Sequence, residues 1–215
     1  MTDRPNQRPA NVAYYGRNRV REMARVRARH ASNLTLLREL RRVACADCRQ
    51  TFAPNQMDFD HREPSLKSFR LTSGPAMGAS RARLLAEVAK CDVVCAVCHR
   101  IRTRDQHRRW LEEAERRQGA SRYLDRKRHH WRAQSQLLDD LRSVPCADCG
   151  RRFAPCAMDF DHREPTGKVS GVTRMIGRAG KDRILAEVAK CDIVCANCHR
   201  ARTHSRRTMK DVERE

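Results

Sequence analysis

The side chains with the most specific chemistry in this sequence are eight cysteines, which form four C-x2-C pairs. Each half of the chain holds two pairs, separated by 46 residues in the first half and by 45 in the second. Two such pairs can close a tetrahedron of thiolates around Zn²⁺, the common form of a structural zinc site. Reduced buried thiols and an iron–sulfur site are the alternatives. The predicted zinc ligands are Cys45, Cys48, Cys95 and Cys98, followed by Cys146, Cys149, Cys195 and Cys198.

Acidic and imidazole side chains near these cysteines indicate a second, open metal site. Asp60 and His61 precede the second pair, and His99 directly follows Cys98. A carboxylate and a histidine can hold a hard divalent ion, with a neighbouring histidine as a base beside it. The alternative is that His99 joins the zinc ligands or caps a helix, while Asp60 lies on a solvent-facing strand. The second half carries the same set as Asp161, His162 and His199.

The open site has to satisfy a geometric condition. Residues 57–61, MDFDH, alternate apolar and polar side chains and are predicted to form a short strand. A regular strand sends Asp60 and His61 to opposite faces, so the site requires the strand to end or bulge there. Pro64 follows closely and is compatible with such a break.

The two halves of the chain are copies of one another. Residues 45–64 reappear at 146–165 with 15 of 20 positions identical, and residues 83–103 reappear at 183–203 with 17 of 21 identical. These repeats predict a tandem duplication. We expect a basic, partly helical arm (1–32), a first zinc unit (33–104), a charged helical linker (105–133) with a break at Gly119–Ser121, a second zinc unit (134–204) and a tail (205–215).

Each copy shows the pattern of a small α+β fold. Leu36, Leu37 and Leu40 share one helical stripe, and the second copy repeats this stripe. Residues 91–95, CDVVC, are predicted to form a strand that leads into a helix near Cys98.

Three cysteines lie outside the pairs. Cys91 and Cys191 occupy matching positions in the two copies, which favours small buried side chains over additional metal ligands. Cys156 has Asn55 as its counterpart and is predicted to be a free thiol.

The charge of the chain predicts a polyanionic partner. Lys and Arg number 46 against 26 Asp and Glu, which gives a formal net charge of +20. Most of the cations are arginines, whose forked donors suit phosphate oxygens. Aromatic residues make up only 5% of the chain, which argues against a reader of single-stranded RNA. No apolar stretch approaches a membrane span and no export signal begins the chain, so we expect a soluble, cytoplasmic protein associated with DNA.

The string C-x2-C…FDHREP…LAEVAKCDVVCAVCHRIRT resembles the HNH endonucleases, in particular the small phage and bacterial type with a four-cysteine zinc. The resemblance covers roughly 140 of the 215 residues. It implies two tandem zinc-stapled ββα-metal units, joined by the charged helical linker. It also implies hydrolysis of phosphodiester bonds in DNA that leaves 5′-phosphate and 3′-hydroxyl ends.

The resemblance assigns a role to each residue of the open site. Asp60 and His99 would hold one divalent ion, such as Mg²⁺ or Mn²⁺, and Asp161 and His199 another. General bases in the two copies would be His61 and His162. Neighbouring arginines are predicted to contact phosphates, with a solvated helix face as the alternative. These arginines are Arg100, Arg102, Arg200 and Arg202.

One feature departs from the family. Where its members commonly carry an asparagine, about five residues before the third cysteine, this chain has Lys90 and Lys190. An endonuclease with two units could cut both strands of double-stranded DNA without forming a dimer. The first alternative is a zinc-stapled DNA-binding protein with inactive HNH-like units. RNA binding or cleavage is a third hypothesis.

Overall fold

The computed structural model describes residues 8–71, 78–117 and 122–212. For residues 8–13, 15, 110–117, 122–130, 165 and 210–212 only the backbone is described. Six α-helices and two small two-stranded sheets occur in these ranges. The predicted small α+β fold is therefore confirmed.

Each copy places a short helix before the second strand of its sheet and a long helix after it. The helices are α1 (Arg8–Leu40), α2 (Arg81–Val88), α3 (Ala96–Arg117), α4 (Arg122–Arg142), α5 (Lys181–Val188) and α6 (Ala196–Val212). The strands are β1 (Met57–His61), β2 (Cys91–Cys95), β3 (Met158–His162) and β4 (Cys191–Cys195).

Both strands predicted from the sequence are present in each copy. β1 pairs with β2, and β3 pairs with β4. The second sheet is antiparallel and regular along its whole length, with Met158 opposite Cys195 and His162 opposite Cys191. A single 3₁₀ turn that starts at a proline precedes each first strand, at Pro54–Gln56 and Pro155–Ala157.

The leucine stripes form the two small hydrophobic cores, as the sequence predicts. In the first copy Leu37 and Leu84 are buried with Cys91. In the second copy Leu138 and Ile184 are buried with Cys191. Cys91 and Cys191 are therefore core side chains, as their matching positions predict. Among the described residues, the first core contains four buried residues and the second five. Cores of this size supply little stability, so a bound metal ion can add substantially to the stability of the fold.

The chain divides into two compact units, and the division does not follow the sequence repeat. One unit combines Met1–Val43 with Phe59–Val93, and the other combines Ala44–Asp58 with Val94–Glu215. The larger unit therefore holds all eight paired cysteines, the whole second copy, and α3 of the first copy. Within this unit α3 packs against the turn at Pro155–Ala157 and against α6, and α6 packs against the turn at Pro54–Gln56.

The boundaries of the two zinc units, 33–104 and 134–204, remain predictions from the sequence repeat. The linker is helical as expected, since α3 continues to Arg117 and α4 begins at Arg122. The predicted break at Gly119–Ser121 lies outside the described residues. None of the described helices combines the length and the apolar character that crossing a membrane requires.

Candidate metal centres and histidine sites

The structure brings all eight paired cysteines together in two clusters. In each cluster the four Sγ atoms lie within 4.8 Å of one another. In the described ranges, these are the two groups of three or more metal-binding side chains at such distances. Neither His99 nor His199 belongs to them, so histidine is not a fifth candidate ligand. The clusters are Cys45, Cys48, Cys95 and Cys98, and Cys146, Cys149, Cys195 and Cys198.

Two different structural elements supply each cluster. The first pair lies in a tight turn, in which the Gly150 N–H donates to the Cys146 carbonyl and Gly150 has φ = 69°. This left-handed conformation suits glycine, and Arg49 adopts it at the matching position with φ = 60°. The second pair lies at the junction of a strand and a helix, because Cys195 ends β4 and Cys198 falls in the first turn of α6.

The electrostatics of the thiols fit a bound divalent cation. Burial raises the pKa of Cys45, but backbone N–H donors, among them Cys48 and Cys95, outweigh it and lower the pKa to about 7. The donor from Cys95 lies 3.2 Å from Cys45 Sγ. Burial and the neighbouring thiols instead raise the pKa of Cys98. Four thiolates repel one another without a cation, and Zn²⁺ both binds four thiolates and lowers their pKa. The residues therefore fit two zinc ions.

We predict that the purified protein carries two zinc ions per chain, and that Cys198→Ser reduces this number to about one. Losing one ligand of a four-thiolate site removes most of its affinity, while the other cluster keeps all four ligands. Elemental analysis by mass spectrometry measures the zinc content. Cys156→Ser is the matched control, since Cys156 lies in neither cluster, and it is expected to retain both ions. Loss of both ions in Cys198→Ser would show that the two clusters fold as one cooperative site.

His162, which the resemblance makes a general base, is buried against a carboxylate. Its Nε2 lies 2.8 Å from Oε1 of Glu187, and the two side chains are only 7% and 3% exposed. His61 and Glu87 form the same pair in the first copy, also at 2.8 Å. An ionised carboxylate can only accept hydrogen bonds, so Nε2 carries the proton. The nitrogen of neutral His162 that can take up a further proton is therefore Nδ1.

Glu187 is itself held ionised by a network of donors. Lys190 donates to Oε2 at 2.8 Å, and the backbone N–H of Val169 donates to Oε1 at 2.9 Å. Donation from Lys190 outweighs the effect of burial and lowers the pKa of Glu187 to about 2. Lys190 stands where the family commonly has asparagine, and Lys90 makes the matching contact with Glu87 at 2.6 Å. The two lysines thus make matching contacts with a buried glutamate in both copies.

Asp161 points toward a different element from its neighbour His162. β3 is regular up to His162, where it ends, so alternation sends Asp161 to α6 and His162 to α5. Oδ1 of Asp161 lies 3.5 Å from Nε2 of His199. Arg206 donates to both oxygens of Asp161 at 2.9 and 2.8 Å, and Arg202 donates at 3.0 Å. The strand therefore neither ends nor bulges between Asp161 and His162, so the break that the sequence analysis required for the open site is absent, and the two side chains lie on opposite faces of β3.

His199 lies between two carboxylates. Its Nδ1 is 2.7 Å from Oδ2 of Asp159, so this contact directs Nε2 toward Asp161. Hydrogen bonding with His199 and with an arginine outweighs burial and lowers the pKa of Asp159 to about 2. In the first copy Asp58 makes the same contact with Nδ1 of His99, at 2.8 Å. A histidine that is fixed through one nitrogen and presents the other is the usual arrangement of a metal-binding histidine.

Two features of Asp161 and His199 suit a site for a divalent ion, and one feature opposes it. Their facing atoms are close enough to bind one ion, and Asp159 orients the histidine. The two arginines on Asp161 already provide positive charge there, so an ion has to compete with them.

Each of the four arginines predicted to contact phosphate bonds to an aspartate. Arg202 makes a forked contact with Asp148, from Nε at 2.8 Å and Nη2 at 2.5 Å, and this contact raises its pKa. Arg102 makes the same fork with Asp47. The contact of these arginines with phosphate stays a prediction. The other two pairs join the copies to one another: Arg100 to Asp159, and Arg200 to Asp58.

Four carboxylates of these sites were not predicted from the sequence. These carboxylates bond to the histidines. Their identity in the two copies was the sequence feature that could have identified them, because all four lie in stretches that the duplication kept unchanged. They are Asp58, Glu87, Asp159 and Glu187.

Comparison with protein-family models, curated proteins and solved structures finds no match to this chain. The likeness to HNH endonucleases therefore remains a resemblance carried by the motif residues, and the chemistry of the sites follows from their own side chains.

We predict that neutral His162 exists as the Nε2–H tautomer. Glu187 has a pKa below its ordinary value, so it is ionised and accepting at every pH above about 4.5. Imidazole ¹⁵N chemical shifts in the zinc-loaded protein measure the tautomer, and Glu187→Gln is expected to weaken the preference. Glu164→Gln, which changes an exposed carboxylate two residues from His162, is the control. A dominant Nδ1–H tautomer in the wild type would contradict the prediction.

Proposed function

We propose that the protein is a metal-dependent DNA endonuclease with one HNH-like site in each copy of the repeat. The observation that carries the proposal is the arrangement of His199, whose Nδ1 is fixed by Asp159 and whose Nε2 faces Asp161 at 3.5 Å. This is the pair of residues that the resemblance assigns to a divalent ion. The contact of Nε2 of His162 with Glu187 and the surplus of positive charge support the same proposal.

In this proposal the residues of the second copy divide the work of hydrolysis. His162 takes a proton from the attacking water at Nδ1, and Glu187 stabilises the imidazolium that forms. Asp161 and His199 would hold a divalent ion, which would act as a Lewis acid on the phosphate and on the leaving oxygen. Asp159 keeps His199 oriented. The zinc ions have no part in the chemistry and serve to hold β4 and α6 in place.

A second candidate function is a zinc-stapled DNA-binding protein with inactive sites. The observation that favours it is the contact of Arg206 and Arg202 with both oxygens of Asp161. These guanidinium groups already bond to the carboxylate oxygens that an endonuclease would need as ligands for its divalent ion. The two candidates share the zinc sites and the charge, so only cleavage and divalent binding separate them.

We predict that the zinc-loaded wild type cleaves supercoiled plasmid in the presence of Mg²⁺ or Mn²⁺. His61→Ala or His162→Ala alone is expected to leave nicking by the other copy. The double variant is expected to lose at least about a hundredfold in rate, the usual contribution of a general base. Gel electrophoresis of the plasmid over time measures nicked and linear products.

His204→Ala is the control for this assay, because His204 is exposed on α6 and its side chain has no place in the proposed site. Cleavage by the zinc-loaded double variant at the wild-type rate would contradict the proposed bases. Tight binding of DNA without cleavage in any divalent ion would favour the second candidate.

We predict that Arg206→Gln strengthens binding of Mn²⁺ in the second copy. Gln106 occupies the matching position of the first copy, so the variant gives both copies the same residue. Removing two charge-assisted hydrogen bonds from Asp161 is expected to improve affinity by about tenfold. Titration followed by electron paramagnetic resonance measures Mn²⁺ binding, in an Asp60→Asn background that silences the first copy.

Arg207→Gln is the matched control, because Arg207 is the exposed neighbour and its removal changes the net charge by the same amount. Equal effects of the two variants would show that overall charge, and not the contact with Asp161, limits binding. Unchanged Mn²⁺ affinity in Arg206→Gln would contradict the competition between arginine and the ion.

A further inference from the structure

Each copy of the repeat contributes an arginine to the aspartate–histidine pair of the other copy. Nη1 of Arg100, on α3, lies 2.6 Å from Oδ1 of Asp159. The other carboxylate oxygen of Asp159 bonds to Nδ1 of His199. The first copy therefore holds the aspartate that orients a histidine of the second copy.

The reverse contact is also present. Nη2 of Arg200, on α6, lies 2.7 Å from Oδ2 of Asp58, and the same oxygen lies 2.8 Å from Nδ1 of His99. The two aspartates are 14% and 19% exposed, whereas their arginines are 37% and 40% exposed, so it is the carboxylate end of each pair that is shielded from water. Two equivalent contacts that cross between the copies are not expected from packing of unrelated surfaces.

Backbone and amide contacts hold the copies together around these arginines. Nε2 of Gln56 donates to the carbonyl of Asn197 at 3.0 Å, and the N–H of Val97 donates to Oδ1 of Asn197 at 3.2 Å. Asn197 is only 5% exposed, and Val97 is 4% exposed. The hydrogen bond from Val97 to the buried amide oxygen of Asn197 fixes the position of α3 against α6, and therefore the reach of both arginines.

We propose that the two copies form a cross-braced pair, in which Arg100 is a positioning residue for the second site and Arg200 is a positioning residue for the first. This inference rests on the proposed function, and it states that each of the two endonuclease sites depends on an arginine from the other copy. It opposes the prediction from the sequence, in which each arginine contacts phosphate beside the histidine of its own copy.

Plasmid nicking separates these two roles. In a His61→Ala background cleavage reports the second site, and there Arg100→Met is expected to lower the rate more than Arg200→Met. In a His162→Ala background the order is expected to reverse. A misplaced ligand of this kind costs roughly tenfold to a hundredfold in rate. Arg108→Met removes one positive charge from α3 and measures the general effect of charge on both sites.

Imidazole ¹⁵N spectra supply a readout that does not need cleavage. In the zinc-loaded protein Arg100→Met is expected to shift the signals of His199 more than those of His99, and Arg200→Met the reverse. The Arg100→Lys and Arg200→Lys variants are expected to cause smaller shifts of the same histidine signals. They replace the methionine variants in this test if a methionine variant loses zinc. Zinc analysis of every variant guards against a general loss of fold.

Losses and shifts that fall on the arginine's own copy would overturn the cross-brace while leaving the endonuclease intact. Shifts that cross between the copies in a protein that cleaves no DNA would support the cross-brace and remove the proposed function.

Discussion

The constraint on which the rest of the structure depends is the meeting of four thiols at each cysteine cluster. In the second copy the cluster joins a turn at one end to the junction of β4 and α6 at the other. A cation bound there sets the residue at which α6 begins and the rotation of its first turns, because both Cys195 and Cys198 are tied to it. His199 is the next residue, so its direction follows from the zinc site.

The helical period then distributes the side chains that follow. Residues 199, 202 and 206 are spaced three and four apart and share one face, which is turned toward the aspartates of β3. Arg200 lies on a different face and reaches Asp58 of the first copy. Part of the arginine surplus is therefore used inside the protein, in ion pairs with aspartate. The proposed polyanionic partner would have to be bound by other arginines, such as the exposed ones of α1.

Much of the fold could be predicted because its signals are local. The spacing of the cysteines predicts both clusters, and the two-residue alternation of MDFDH predicts β1 and β3. The carboxylates that hold the histidines could not be assigned in this way. Glu187 reaches His162 across 25 residues, and Arg200 reaches Asp58 across 142, so only the packing of α5 and of the two copies brings them together. The duplication preserved these residues without showing their partners.

The same limit applies to the neighbouring residues Asp161 and His162. Alternation along a strand correctly indicates that they point to different faces, but it does not show which helix lies on each face. With α5 on one side and α6 on the other, His162 is held by Glu187, and Asp161 is held by Arg202 and Arg206. The organisation of the site therefore depends on two helices that the zinc site and the small core hold in place.

The most direct test of this account is a crystal structure with anomalous scattering, recorded at the zinc edge and again after soaking in Mn²⁺. We expect two zinc peaks inside the cysteine clusters and a manganese peak beside Nε2 of His99 or His199. Two zinc peaks without manganese at either histidine would contradict the endonuclease and leave a zinc-stapled binding protein. Absence of zinc from the clusters would contradict the account at its base.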